Sequence, residues 1–353
     1  MNTNTETNIT IRHIDPANKQ ELRDARKICS KAFFGFSFFW FTFGAPKTAL
    51  IALVDGKIAG GFFYKLLNSA EKQIGFNSYF FTDPKHNGRG IGKQLFREGI
   101  SHLRSSGCAL LLSYVRDDNV GSWSNFIKNG FVRAPFLSLV SYVGFVQSLK
   151  IYIVTLLGFC FGHDFYISVK DKQLIQKTPN SFGQILIFLL VNAALFIPIF
   201  IATDSLILSA VTFLGIFIGL VLTSYIGTLF SKRNWSFRFN DGGLLMCGIF
   251  SFFYGFLPMS GSWFPKNYEN TPEFRRDLAL PAITSWLFLF GLAAAAATIW
   301  FFLTGLVQIL LIFRCLVPLE PFKTYGGQRV YDWNKGVFIV FAAVSVVLVF
   351  VVL

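Results

Sequence analysis

The stretch "HNGRGIGKQ", residues 86–94, places glycines at 88, 90 and 92 between an apolar, strand-like run and a helical one. Glycines at such a junction let consecutive backbone N–H groups converge at the positive end of a helix, which is a cradle for an anion such as a pyrophosphate. As a plain surface loop the same glycines would mean little, so the elements on either side decide. The cysteines, at 29, 108, 160, 247 and 315, show neither CxxC nor Cys/His spacing. They point to no disulfide framework and no metal site.

The elements around the turn follow from periodicity and turn chemistry. "ITIRHIDP" reads as a strand, and "NKQELRDARKICSKAFFG" as a helix with Leu22, Ala25, Ile28, Cys29 and Ala32 on one face. "TALIALVDGKIAGGFFYKLL" is a hairpin turning at Asp55-Gly56. "KQIGFNSYFFTDP" is the strand that feeds the glycine turn, and the helix after it runs through "KQLFREGISHLRSSG". "CALLLSYVRDDN" is a further strand, and "VGSWSNFIKNGF" a short helix leading to another.

This arrangement resembles the GNAT acyltransferase superfamily. The resemblance rests on "FFTDPKHNGRGIGKQL" followed by "LLLSYVRDDNVGSWSNFIKNGFV", spans roughly residues 9–134, and takes "DFYISVKD" (165–172) as the last strand. It implies an α+β fold with a mixed central sheet flanked by helices, and acetyl-CoA as the acyl donor. By this resemblance Gly88, Arg89, Gly90, Ile91, Gly92 and Lys93 would cradle the pyrophosphate. Tyr79, Phe80 and Phe81 would hold the pantetheine by main-chain bonds, with Asn119 reaching it from the next strand. Two positions depart from the family pattern: Asn87 stands where Gln or Arg opens the turn, and Phe126 where many members carry a Tyr general acid. Acyl transfer still needs a route for the acceptor's proton. The candidates are Tyr79, Asp83, Tyr114, Asp117 and Asp118, with solvent as an alternative. His86 beside the turn reads as a solvated loop residue, and Asp117-Asp118 equally as a polar strand end.

Composition sets a second expectation. The 353 residues are 53% hydrophobic and 14% charged, with mean hydropathy +0.51, values of an integral membrane protein. Up to residue 181 there are 22 Lys+Arg and 12 Asp+Glu; beyond it only 10 and 7. We therefore expect a tail at 1–8 without order, a GNAT domain at 9–173 and a multi-span domain at 182–353. The basic excess suits a phosphate-bearing cofactor, acidic lipid headgroups or simply the positive-inside bias; nucleic acid is not among the expected partners. "FFGFSFFWFTFG" (33–44) is too short to span a bilayer. In the GNAT fold it would border the acceptor entrance, either dipping into the interface or packing on the protein's own helices. "FLSLVSYVGFVQSLKIYIVTLLGFCFG" (136–162) reads as a membrane-proximal interfacial helix or hairpin.

Uncharged runs at 182–203, 205–230, 243–264, 282–313 and 336–353 suggest five or six spans. The run 243–264, broken by Pro258, is either a full span or re-entrant. The run 282–313, about 48 Å as one helix, is either one tilted helix or two joined near "GLAAAAAT" or "LTG". Basic loops at 231–240 and 314–335 place those loops and the GNAT domain in the cytosol and the C-terminus on the opposite side. "FRRDLALPAITSWLFLFGLAAA" and "LIFRCLVPLEPFKTYGGQRVYDWN" also resemble the core of site-2 proteases. By that resemblance the zinc helix falls on Thr223–Gly227 and the zinc-binding Asp on Gly326. No histidine follows His163, so zinc hydrolysis at a site of this type lacks its ligands. Gln184, Asn192, Ser224 and Gln308 would either line an acceptor path or bond neighbouring helices. The expected activity is acetyl transfer to an amine or hydroxyl at the membrane, on a lipid-linked molecule, a membrane protein or an amphiphile. The alternatives are a CoA-binding structural or regulatory subunit and a membrane protease regulated by the soluble domain.

Overall fold

The computed structural model describes residues 9–32, 48–68, 73–116, 119–175, 178–202, 205–267, 269, 271–296, 301–317 and 322–352. The tail 1–8, the aromatic run 33–43 and Asp117-Asp118 lie outside these residues. The chain forms two compact units. One comprises 1–115, 125–147 and 165–176; the other comprises 116–124, 148–164 and 177–353.

The first unit is built on a seven-stranded sheet of order β1-β2-β3-β4-β5-β7-β6. Its strands are β1 (Ile9–His13), β2 (Ala49–Val54), β3 (Lys57–Asn68), β4 (Gln73–Thr82), β5 (Leu110–Arg116), β6 (Val132–Arg133) and β7 (His163–Val169). The β2–β3 turn forms at Asp55 (φ 50°) and Gly56 (φ 74°); two positive φ values make the tight hairpin whose twist matches the strands. Helix α1 (Lys19–Ala32) starts where the Asn18 side chain accepts from the Gln20 and Glu21 amides, both at 3.1 Å. Glu21 reaches back to the Asp15 amide at 2.8 Å and pairs with Arg12. This reciprocal capping sets the entry into the helix. Ala25 and Cys29, both fully buried, then lie in one core with Ile51, Phe63 and Phe81. Helix α2 (Ile91–Ser105) packs through Phe96, whose ring stands 6.1 Å from Phe62 and 5.2 Å from Phe80. Along the chain come α3 (Val120–Lys128), α4 (Phe136–Val143) and α5 (Phe145–Val154), of which α4 lies in this unit while α3 and α5 are divided between the two. Helices α4 and α5 are broken from each other at Gly144 (φ 78°). The stretch 136–162 is thus two short helices and a 3₁₀ turn.

The second unit holds three helices long and apolar enough to cross a membrane by length and composition: Ser181–Ile201 (α6), Leu206–Thr228 (α7) and Pro272–Ala295, the body of α9. Shorter apolar helices are Phe145–Val154, Thr304–Cys315 and Lys335–Val351. Among the described residues, three helices thus have the length and composition to span, and the expected five or six spans are not established. The run 243–264 is not a span. It divides into the nine-residue α8 (Leu244–Phe252), an irregular segment through Pro258, and β9 (Gly261–Pro265). A nine-residue helix rises only about 13 Å, and Gly255 and Pro258 follow it. The basic stretch 231–240 is likewise no simple loop, since it contains β8 (Trp235–Phe239), antiparallel to β9. The run 282–313 divides into α9 (Pro272–Ala296) and α10 (Phe301–Cys315), on either side of residues 297–300. The short α11 (Gly327–Trp333) and α12 (Lys335–Val347) complete the unit.

The polar side chains on α6 explain how β8 sits there. Ser181 Oγ accepts from the Phe237 amide (3.0 Å) and Gln184 Oε1 from the Phe239 amide (3.1 Å). Asn192, fully buried, accepts from the Met259 amide (2.8 Å) and donates to the Met259 and Phe188 carbonyls (3.3 and 2.9 Å). Gln308 donates to the Val349 carbonyl at 3.3 Å. Backbone groups away from water must be paired within the protein, and here Ser181, Gln184 and Asn192 of one helix pair them.

Candidate functional site

Two features of the first unit converge. The first is the turn before α2. Gly88 (φ 82°) and Gly90 (φ 76°) are both left-handed, and Gly90 is the N-cap with no side-chain hydrogen bond to the helix. The first intrahelical bond is Gln94 N–H to the Gly90 carbonyl. The N–H groups of Gly90, Ile91, Gly92 and Lys93 therefore precede the ladder, as the first amides of any helix do. A Cβ placed on Gly88 or Gly90 would meet nothing within 4 Å, so glycine is required by backbone angle and the surface above stays open. Asn87, Arg89 and Lys93 are exposed and Ile91 is buried in the core. The turn is held from the other side by Asp83, which accepts from the Lys85 amide at 3.0 Å and so caps the 3₁₀ turn Pro84–His86. Asp83 is thereby a structural cap, and His86 is half-buried beside it.

The second feature is a split in the sheet. β4 and β5 run parallel and pair from Ile74–Leu110 to Asn77–Ser113. Beyond that point β4 continues to Thr82 along β3 alone. The cause is a bulge: Phe63 faces Tyr79 and Tyr64 faces Asn77, leaving Ser78 extra on β4. Bulges bend a strand and raise its twist, which turns β4 away from β5. Tyr79, Phe80 and Phe81 all lie past the split on β4, and Tyr114 lies past it on β5. Side chains alternate there: Tyr79 and Phe81 pack toward the α1 core, and Phe80 toward Phe96 of α2. The Tyr114 ring leans on Phe76 at 5.5 Å. At the apex, Asn77 is buried and its Oδ1 has no hydrogen-bond partner. Neither the bulge nor this orphan acceptor was signalled by periodicity.

The other expected site residues have definite places. Asn119 caps α3, its Oδ1 accepting from the Ser122 amide at 3.1 Å. Phe126 is 2% exposed and enclosed by Phe96, Phe131 and Tyr166 at 4.8, 5.1 and 5.9 Å. An uncapped glycine turn beside a half-open parallel strand pair offers amides for a diphosphate and main-chain groups for an extended, amide-bearing chain.

Residues 16–131 match the Acetyltransferase (GNAT) family. They form a GNAT domain. The match ends at residue 131 and does not bear on the later stretches that resemble site-2 proteases. No curated protein sequence matches the chain. Among solved structures, the chain is similar to the IAA acetyltransferase from Bacillus cereus, at 18% identity over 35% of this chain and 77% of that one (TM-score 0.28). It is also similar to a GNAT-family acetyltransferase from Streptococcus pneumoniae, at 18% over 36% and 85% (TM-score 0.29). A third is N-acetylglutamate synthase from Neisseria gonorrhoeae, complexed with coenzyme A and N-acetyl-glutamate, at 16% over 47% and 36% (TM-score 0.34). The GNAT match covers α1 to the end of α3 and therefore both the glycine turn and the split.

Proposed function

We propose that the GNAT domain transfers an acetyl group from acetyl-CoA to an amine or hydroxyl acceptor presented at a membrane. The observation that carries this reading is the parting of β4 from β5 beyond Asn77–Ser113 in the same unit as the uncapped Gly88–Gly90 turn. Amides of residues 88 and 90–93 would bind the pyrophosphate, and β4 backbone from Tyr79 to Phe81 would bind the pantetheine, with Asn119 a further contact. Asn77 Oδ1, which lacks a donor, fits a pantetheine amide N–H. The acceptor's nitrogen or oxygen attacks the thioester carbonyl carbon, the C–S bond breaks, and the thiolate leaves. Held in contact, the two reactants gain most of their rate from proximity. With Phe126 enclosed by rings, the acceptor's proton would pass to solvent or to the Asp117-Asp118 pair, with the Tyr79 or Tyr114 hydroxyl as a relay or as the acid that protonates the departing thiolate.

Membrane attachment is supported by three long apolar helices and by outward side chains such as Leu190 (60% exposed), Ile207 (78%) and Val211 (61%), an apolar surface that lipid would cover. The basic stretches 231–240 and 314–335 support a cytosolic GNAT domain by the positive-inside bias, with the C-terminus opposite and a lipid-linked molecule, membrane protein or amphiphile as acceptor. The test is mass spectrometry of detergent-extracted protein incubated with labelled acetyl-CoA and membrane extract. A labelled acceptor is expected; coenzyme A bound without any turnover, in a stoichiometric complex, would instead favour a structural or regulatory subunit, a reading that Asn87 and Phe126 support.

A second reading concerns the second unit alone. Ser224 of α7, Pro281 of α9 and Gly326 come from the three stretches that resemble site-2 proteases, and all three line one cavity of about 80 Å³. This supports a protease-like scaffold without zinc ligands; metal analysis finding one tightly held zinc per chain would overturn its metal-free character.

A further inference from the structure

That cavity holds a cation with no counter-charge. Arg314 is 8% exposed and, among the described residues lining the cavity, alone carries a formal charge. Its Nη1 donates to the Ala282 carbonyl (3.0 Å) and to Ser285 Oγ (3.1 Å). Ser285 spends its own hydrogen on the Pro281 and Ala282 carbonyls, so it acts toward Arg314 only as an acceptor. A guanidinium has five N–H donors in a planar fork. Those on Nε and Nη2 find no acceptor among the described residues. A second, separate observation points the same way: Thr324 is 6% exposed, lines the same cavity, and its Oγ1 has no hydrogen-bond partner. The remaining wall is mainly apolar, with Phe188, Phe217 and Phe237. Gly326 (φ 95°) also lines the cavity, and a Cβ there would stand 3.2 Å from Ala282 Cβ and 3.7 Å from Arg314 Nη1.

We infer that this cavity is a binding site for a carboxylate, gripped by the free side of the Arg314 fork and by the Thr324 hydroxyl. One buried positive charge matches one negative charge; a dianion would leave a surplus charge in a low-dielectric wall, which is strongly unfavourable. The fork geometry favours a planar two-oxygen group. The aromatic wall suits the carboxylate end of an amphiphile, and a free small carboxylate presents the same two oxygens. The site lies within the second unit and does not depend on acetyl transfer by the GNAT domain.

The full-length protein in detergent, in a buffer whose only other anion is a bulky sulfonate, would be titrated with acetate, dodecanoate and phosphate by calorimetry and thermal shift. Saturable carboxylate binding is expected, with Arg314→Gln weakening it at least tenfold, Arg314→Lys roughly fivefold and Thr324→Val roughly threefold. Binding of dodecanoate without acetate identifies an amphiphile as the source; binding of acetate identifies a small carboxylate; both support the site. Absence of carboxylate binding in the unsubstituted protein overturns it. So does binding left unchanged by Thr324→Val, which decides the matter if Arg314→Gln fails to fold, and so does phosphate outcompeting acetate at pH 8.

Discussion

Ser113 Oγ donates to the Asn77 main-chain carbonyl at 3.1 Å, and these two residues form the last facing pair of β4 and β5. The bond pins the apex of the sheet's split. The Asn77 side chain beside it is buried with an unpaired carbonyl oxygen, an arrangement that weakens the free protein unless a ligand supplies the donor.

Asn77→Leu should accordingly separate stability from binding. Removing an orphan acceptor while keeping volume is expected to stabilise the free protein by about 1 kcal/mol and to weaken acetyl-CoA binding several-fold. Thermal denaturation and calorimetry on the same preparation check both; a variant that is less stable and binds normally contradicts the assignment.

Gly90→Val tests the turn. At φ 76° a β-branched residue is strained by about 1–2 kcal/mol, yet open space around the position lets the fold persist. Coenzyme A affinity should fall at least tenfold with only a modest loss in melting temperature, read by calorimetry against denaturation.

Phe126→Tyr adds a hydroxyl to a ring enclosed by Phe96, Phe131 and Tyr166. The expected result is a loss of about 1–2 kcal/mol for a buried unpaired hydroxyl and a turnover number within about twofold of the parent. A fivefold or greater rise would show that this position still reaches the thioester.

Acid should weaken the first unit through His102. Its Nε2 lies 2.8 Å from the Tyr64 hydroxyl. Burial, and then the His13 ring 4.5 Å away, hold its pKa below the usual imidazole value. A depressed folded-state pKa means the unfolded chain binds the proton first. Stability is thus full above the ordinary value of about 6.5 and declines as pH falls through the lowered one. Denaturation midpoints at pH 7.5 and 5.5 should differ more for the parent than for His102→Asn.

Asn192→Leu removes both partners of the Met259 backbone. Two buried main-chain groups left unpaired should cost about 2–4 kcal/mol, visible as earlier unfolding in a detergent thermal scan.

The parts legible in the sequence are those where one local demand dominates. Asp55-Gly56 and the 88–92 glycines announce themselves because only such residues adopt those angles readily, and the α1 face follows from the spacing of Ala25 and Cys29. The split at Ser78 was hidden because a bulge is a main-chain event inside "FNSYFF", whose side chains stay strand-like. The run 243–264 misled for another reason. Hydropathy weighs apolar content and ignores that β8 and β9 pair across a separation set by the fold. The Arg314 cavity needed residues from α7, α9, α10 and the segment before α11, which no single window contains.

The β8–β9 ribbon has one further consequence. A two-stranded ribbon ordinarily invites a third strand from another molecule. Ser181 and Gln184 already occupy the outward amides of Phe237 and Phe239, so that border is closed to recruitment, and crowding many copies together should not stitch them into fibrils along it.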